Sequence, residues 1–360
     1  MIKNIILTNF RNHTMSRIKT DGAQTIVILG PNGSGKTAII EAISMLSGER
    51  GMRGADMSDI ARFNGDGSFA VYSELNDESD VSIYFNSGDT NRHAKMDNEN
   101  IPLSNLANKL KIVWVTPKED RLFVDSLSDR RAFFDRLCCA FNSAHAGRVA
   151  KLNKLLTERA NVLKTKPDDL LLNILDDDIA STSVAICDTR ISYAGALNYY
   201  LEKHAVSLNG FVEEMLVSGL TPGEAERKYR QYLYQTRELV GDKMVIDGPH
   251  KSDFGMVNNI LKLPVNLTST GQQKMALLDL ILAHAKLLKD KTGGGAIILL
   301  DEAVAHLDTN ARMELFEKLT QCDAQIWATG IDAEMFKFAK NAIFVTCQDG
   351  AISNIVKQDV

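Results

Sequence analysis

The 360 residues are 44% apolar and 24% charged, with a formal net charge of −5. That profile fits a soluble globular chain long enough for a sizeable core. It excludes a broadly basic nucleic-acid binder, so any such contact has to come from a local patch. No apolar run reaches membrane-spanning length, no signal peptide is read at the N-terminus, and the five cysteines lack C-x-x-C spacing. Reduced thiols, a cytoplasmic location and no membrane partner are therefore expected.

In chain order, residues 2–10 and 24–29 read as strands. "FAVYSEL" (69–75) and "VSIYF" (81–85) alternate with period two around turn-forming residues, which predicts an antiparallel meander. "KIVWVT" (111–116) predicts a further strand. After Pro117 the period changes: residues 128–166 and 168–205 predict helices, with Phe133, Phe134, Leu137, Phe141, Leu152 and Leu155 at helical spacing. "TPGE" (221–224) is a capping box with proline at the first helical position, opening the basic helix "AERKYRQYLYQTREL". Strand and helix alternate again through "AIILLD" (296–301), "AQIWAT" (324–329), "AIFVT" (342–346) and "AISNIV" (351–356). An α/β unit built from both chain ends, 1–116 and 255–360, thus brackets a mainly helical insert, 117–254. No heptad array is present, so no long coiled coil is expected.

Residues 30–37, Gly30-Pro31-Asn32-Gly33-Ser34-Gly35-Lys36-Thr37, match G-x-x-x-x-G-K-[ST] between a predicted strand and the helix "TAIIEAISML". Glycines let backbone N–H groups turn onto a phosphate, and the helix start adds its positive end. Lys36 is then expected at the β- and γ-phosphates of ATP and Thr37 on Mg²⁺. "IILLDE" (297–302) runs a strand into two acids: Asp301 as an Mg²⁺ ligand, directly or through water, and Glu302 as the general base. "AHLD" (305–308) follows. Upstream, Ser269-Thr270-Gly271-Gln272 opens an apolar helix with more polar chemistry than one cap requires.

This order, a P-loop, S-x-G-Q at a helix start, hhhhDE and x-x-L-D, is that of the ABC ATPase cassette. The chain further resembles the RecF family of SMC-like ABC ATPases. The match rests on "LTNFRNH" (7–13), the P-loop, "TPKEDRLFVDSLSDRRAFFDRL" (116–137), "DGPHKSDF" (247–254) and "STGQQK" (269–274). The resemblance implies an ABC-ATPase head: lobe I, a mixed α/β P-loop core with an antiparallel meander, and a mainly helical lobe II. It implies a weak, DNA-stimulated, Mg²⁺-dependent ATPase that pairs as an ATP-dependent homodimer, with Ser269, Gly271 and Gln272 closing over the nucleotide of the second copy. Gapped DNA or single-strand/double-strand junctions are the implied nucleic acid, and RecO and RecR the implied partners in recombinase loading.

Departures from the family pattern shape the expectations. Lys251 stands where arginine is frequent, replacing a bidentate contact with a point charge. Glu302 stands where many members have aspartate. Gly330 occupies the switch-histidine place of transport cassettes and Ile331 follows it, leaving Thr329 and Asp332 as candidate γ-phosphate sensors. No glutamine stands in "KIVWVTPKED" where a Q-loop belongs, so slow hydrolysis is expected. These absences and the helical insert argue against a transport-type cassette. Candidate DNA contacts are His250, Lys251, Lys151 and Arg227, with Lys154, Arg159, Lys228 and Arg230 on the same basic segments.

Overall fold

The computed structural model describes residues 1–165, 168–237, 246–305 and 307–357. Position 166 of the expected first helical stretch, positions 238 and 239 of the expected basic helix, and His306 lie outside these residues. The chain divides into two compact units, 1–120 with 277–360, and 121–276.

The first unit opens with β1 (Ile2–Phe10), β2 (His13–Lys19) and β3 (Thr25–Leu29), followed by α1 (Lys36–Met45) and a short α2 (Met57–Ile60). The meander continues through β4 (Phe69–Leu75), β5 (Asp80–Phe85), β6 (His93–Met96) and β7 (Glu99–Ile101), then α3 (Leu103–Lys109) and β8 (Ile112–Val115). Strands β2-β1-β4-β5-β6-β7 form one antiparallel sheet. Period-two patterning decides its inner face: Ile5, Leu7, Val71, Val81 and Ile83 are fully buried in one core with Ile39 and Ile43 of α1. The strand β2 has no counterpart in the sequence reading. It is mostly polar, "HTMSRIK", and is fixed by pairing with β1 rather than by its own apolar alternation.

The second unit holds α4 (Leu127–Phe141), α5 (His145–Thr165), α6 (Asp169–Asn198), β9 (His204–Asn209), α7 (Phe211–Val217), α8 (Pro222–Gln235), β10 (Asp253–Asn258) and β11 (Leu263–Pro264). Its core joins Leu152 and Leu155 of α5, Leu175, Ile179 and Ile186 of α6, and Tyr229 and Leu233 of α8. The expected capping box at Thr221 and Glu224 forms, with proline in the first turn. The helix expected over 168–205 stops at Asn198. That side chain accepts from the Val206 N–H at 2.7 Å and donates to its carbonyl at 3.3 Å, tying down the strand that replaces the end of the helix. The strand β9 then pairs antiparallel with β10, which puts residues 255–276 in the second unit rather than with the α/β core.

Next comes α9 (Thr270–Thr292), assigned to the second unit up to Ala276 and to the first from Leu277. The first unit then adds β12 (Ile297–Leu300), α10 (Thr309–Gln321), β13 (Gln325–Gly330), β14 (Ala342–Gln348) and β15 (Ala351–Lys357). Its second sheet has the order β15-β14-β3-β13-β12-β8, parallel from β14 to β8. Such strands are buried on both faces, and "IILL" is fully so. Consequently the carboxyl ends of β3, β13 and β12 open on one edge, where open parallel sheets hold their ligands.

Candidate functional site

The P-loop leaves β3 and feeds α1. Gly33 and Gly35 have φ of 81° and 109°, a left-handed backbone that favours glycine. A Cβ on Gly35 would also stand 2.6 Å from His13 Nε2, so the loop is closely backed from behind. The Gly35 carbonyl faces His13 Nε2 at 3.1 Å, and His13 Nδ1 lies 2.7 Å from Ser16 Oγ. Burial lowers the His13 pKa, and the Gly35 carbonyl works against that shift. From the far side, the Gly350 N–H donates to the Ser34 carbonyl at 2.8 Å.

Lys36 is buried, and its ammonium donates to the carbonyls of Gly30 (2.7 Å) and Pro31 (2.8 Å). The Ser34 hydroxyl is buried without a partner among the described residues. The N–H groups of Lys36 and Thr37 open α1 ahead of its first backbone bond, which the Ala38 N–H makes to the Gly35 carbonyl at 3.0 Å. Lys36, Ser34 and these N–H groups make a donor set suited to phosphate oxygens, lacking any carboxylate of its own.

At the end of β12, Asp301 meets this loop. Thr37 Oγ1 donates to Asp301 Oδ1 at 3.1 Å, and Thr329 Oγ1, at the end of the intervening strand β13, donates to the same oxygen at 2.8 Å. Burial raises the Asp301 pKa, while the hydroxyls of Thr329 and Thr37 pull it down. A hydroxyl beside a carboxylate is oxygen-donor chemistry that fits Mg²⁺. Glu302 stands next, half-buried, in the left-handed region at φ 53°. Its N–H donates to Thr329 Oγ1 at 2.8 Å. One buried hydroxyl therefore ties both acids together. Asp332, the other expected sensor, caps a short turn by accepting from the Glu334 N–H at 3.0 Å.

Lys36, Thr37 and Glu302 line a cavity of about 680 Å³. Its lining also includes residues that the sequence reading placed in no site: Arg11, Asn12, Arg53, Asp59, Arg62 and Phe63. Arg11 grips Glu41 of α1 through Nε (2.9 Å) and Nη2 (2.6 Å) and donates through Nη1 to the Asp59 carbonyl at 2.7 Å. Glu41 is 1% exposed. A carboxylate on the apolar helix "TAIIEAISML" was the one sequence signal that a cation had to come to it.

The expected signature lies in the second unit. Ser269 and Gln272 form a reciprocal cap: the Ser269 N–H donates to Gln272 Oε1 at 3.1 Å, and the Gln272 N–H to Ser269 Oγ at 3.4 Å. The Gln273 amide is buried and donates to the Thr268 carbonyl at 2.9 Å. Both glutamines thus have local partners. Gly271 does not need to be glycine locally, since a Cβ there meets open space among the described residues.

The expected DNA contacts are scattered. Lys151 pairs with Asp178 at 2.9 Å and Lys251 with Asp247 at 2.9 Å, all four half-exposed. Exposed Arg227 donates to the Gly223 carbonyl at 3.3 Å. Arg159, expected on the same basic face as Lys151, is instead buried, holding Asp176 at 2.6 Å and the Leu233 carbonyl at 2.7 Å, and is unavailable to a phosphate. His250 is half-buried, and burial lowers its pKa. The loop around it is pinned: Tyr229 donates to the Asp247 carbonyl (2.8 Å), Arg190 to that of Pro249 (2.9 Å) and Arg131 to that of Ser252 (2.9 Å). Arg130 forks onto Asp253 at 2.7 and 3.0 Å, so neither arginine of the "DRR" segment is a solvated surface charge.

None of the five cysteines is in a disulfide, and no described helix is long and apolar enough to cross a membrane. A family described as the RecF/RecN/SMC N-terminal domain matches residues 1–354. The chain is 32% identical to the DNA replication and repair protein RecF of Mesorhizobium japonicum, over 98% of this chain and 97% of that one. It is 33% identical to the protein of the same description from Brucella abortus, over 98% and 96%. A solved structure of the recombination mediator protein RecF-ATPrS in the RecFOR pathway superposes with a TM-score of 0.82 at 21% identity, covering 100% of this chain and 98% of that one, a likeness of fold. With a P-loop and an acidic strand end set on the SMC-head type of sheet, and with identity above 30% sustained over nearly the whole of both chains, this chain belongs to the RecF family.

Proposed function

We propose that the chain is an ATP-dependent DNA-binding protein of replication and recombinational repair. The observation that carries this reading is the junction of the P-loop with β12: Thr37 on Asp301, with Glu302 beside it and Lys36 at the loop. In this reading Gly30–Thr37 hold the phosphates of ATP. Thr37 and Asp301 hold Mg²⁺, which screens charge at the phosphates when bound. Glu302 takes the proton of the attacking water. Slow hydrolysis is read from the sequence, where "KIVWVTPKED" holds no glutamine and Gly330 takes the switch-histidine place.

The signature is read as acting on a second copy. Glycine inside a helix is about 1 kcal/mol less favourable than alanine, and Gly271, in the first turn, has no packing among the described residues to favour it. An exposed helix start with a bare backbone and an adjacent hydroxyl suits the γ-phosphate held by a partner's Lys36. ATP then drives pairing, and pairing brings two weak basic patches onto one duplex, which a chain of net charge −5 needs. Lys151, Lys251, Arg227 and His250 are the candidate contacts. The pairs at Lys151 and Lys251 are exposed, worth roughly 0–1 kcal/mol each, and exchange readily for phosphate. Gapped DNA or a single-strand/double-strand junction is the substrate, and RecO and RecR the partners, in keeping with the repair and mediator roles named for the relatives.

The test is a titration of a gapped duplex at several salt concentrations with ATP, with ADP and without nucleotide. Tight binding with ATP alone, with log K falling as log salt rises, is expected. Equal affinity in all three states would mean a constitutive binder and overturn the reading.

A further inference from the structure

The 680 Å³ cavity that Lys36, Thr37 and Glu302 line is also lined by Asp59, Ala61, Arg62 and Phe63. Phe63 is 86% exposed and is the only aromatic among the lining residues. Its unit buries comparable rings: Phe10, Phe69 and Phe85 are 0, 2 and 7% exposed. Leaving a phenylalanine in water forgoes about 1.5–3 kcal/mol of burial, part of which an occupant of the cavity would restore.

Its backbone is held firmly. The Arg62 N–H donates to the Asn9 carbonyl at 2.8 Å, and the Arg11 N–H to the Ile60 carbonyl at 2.7 Å. Ala61 bridges antiparallel to Phe10. The Arg11 guanidinium adds a bond to the Asp59 carbonyl. Just beyond, the Gly65 N–H closes on the Arg62 carbonyl at 2.9 Å, with Asn64 at φ 60°. Asparagine tolerates that conformation at the third position of a turn. Phe63 is therefore an exposed ring mounted on a fixed turn in the lining of the cavity that the P-loop shares. A flat, apolar ring at that place is suited to the π-face of a nucleobase.

We infer that Phe63 is the nucleobase platform of this site, stacking on the base of the nucleotide whose phosphates the P-loop holds. The inference rests on the nucleotide reading above and adds what recognises the nucleoside end. Stacking needs only a π-face, so it supplies affinity without choosing among bases, and ATP and GTP depend on Phe63 alike.

The experiment compares ATP with inorganic tripolyphosphate, which has no base, by calorimetry on the full chain and its Phe63→Ala and Phe63→Trp variants. The side chain is exposed, so both variants are expected to fold as the parent does. ATP affinity should fall at least about 5-fold in Phe63→Ala and recover in Phe63→Trp. Tripolyphosphate affinity should be the same in all three. Fluorescence of Phe63→Trp, after subtraction of the parent signal, should be quenched by ATP and unaffected by tripolyphosphate. Unchanged ATP affinity in Phe63→Ala, or equal losses for ATP and tripolyphosphate, overturns the platform while leaving the nucleotide site standing. Failure of the parent to bind either compound removes the nucleotide site, and the platform with it.

Discussion

Replacing Thr329 with valine removes one oxygen and keeps the shape. The side chain is 1% exposed, and its hydroxyl donates to Asp301 while accepting from the Glu302 N–H, each at 2.8 Å. A hydrogen bond to a charged group is worth about 1.5–3 kcal/mol, and a stranded buried donor costs about 1–3 kcal/mol. Thr37 still donates to the same Asp301 oxygen, so a total near the low end, about 2–3 kcal/mol, is expected. For a unit of 150–250 residues this lowers Tm by about 4–12 °C, readable by calorimetry without nucleotide. The functional effect is separate. Glu302 holds a left-handed backbone, and among the described residues its N–H is tethered by this hydroxyl. Loss of the tether should slow turnover at saturating ATP by about 10-fold, since small misplacements of a catalytic group cost up to roughly 100-fold. ATP affinity should stay within about 3-fold, because the P-loop is untouched. Thr329→Ser keeps the hydroxyl and should behave like the parent. A valine variant that unfolds at the parent's temperature and turns over at the parent's rate would refute the tether.

Three further outcomes follow from the same geometry. Glu302→Gln should slow hydrolysis by roughly 10²–10⁴-fold while retaining ATP; a parental rate would remove Glu302 as the base. Lys36→Ala and Ser269→Arg should each be nearly inactive, yet regain up to about a quarter of parental ATPase activity on equimolar mixing, since half of random pairs are mixed and each then has one intact site. No gain, with mixed pairs shown by cross-linking, would make Ser269 a local cap only. For pH, burial holds the folded His13 pKa below its ordinary 6.5, so the unfolded chain takes up the proton first. The corresponding stability is present above about pH 6.5 and is lost as pH falls from there through the folded value, with a slope of up to about 1.4 kcal/mol per pH unit. His13→Gln should flatten that slope in urea titrations, leaving the part due to His250, whose pKa burial also lowers. An unaltered slope would clear His13.

What was legible in the sequence was local or periodic. The P-loop, the acidic end of "IILLDE", the capping box at Thr221 and the alternating meander each announce themselves within a dozen residues. Pairings between distant segments were not legible. The strand β9 was read as the end of a helix because its formation depends on β10, far along the chain, and on the Asn198 side chain. Arg159 read as a surface charge because nothing nearby in sequence shows that Asp176 and the Leu233 carbonyl enclose it. The part of the cavity lining at Arg11 and Asp59 escaped for the same reason: the two come together only when β1 and the segment before Phe63 hydrogen-bond. Thr329 was singled out as a phosphate sensor, whereas its hydroxyl is engaged by Asp301 and Glu302, a role set by strand order and invisible to spacing.

The most direct measurement is the solution mass of the chain by sedimentation, with and without ATP, for the parent, Glu302→Gln and Ser269→Arg. The account predicts that ATP moves the parent toward twice the monomer mass, that Glu302→Gln holds that state longest, and that Ser269→Arg does not reach it. The same mass with and without ATP for both the parent and Glu302→Gln would contradict a site completed by a second copy.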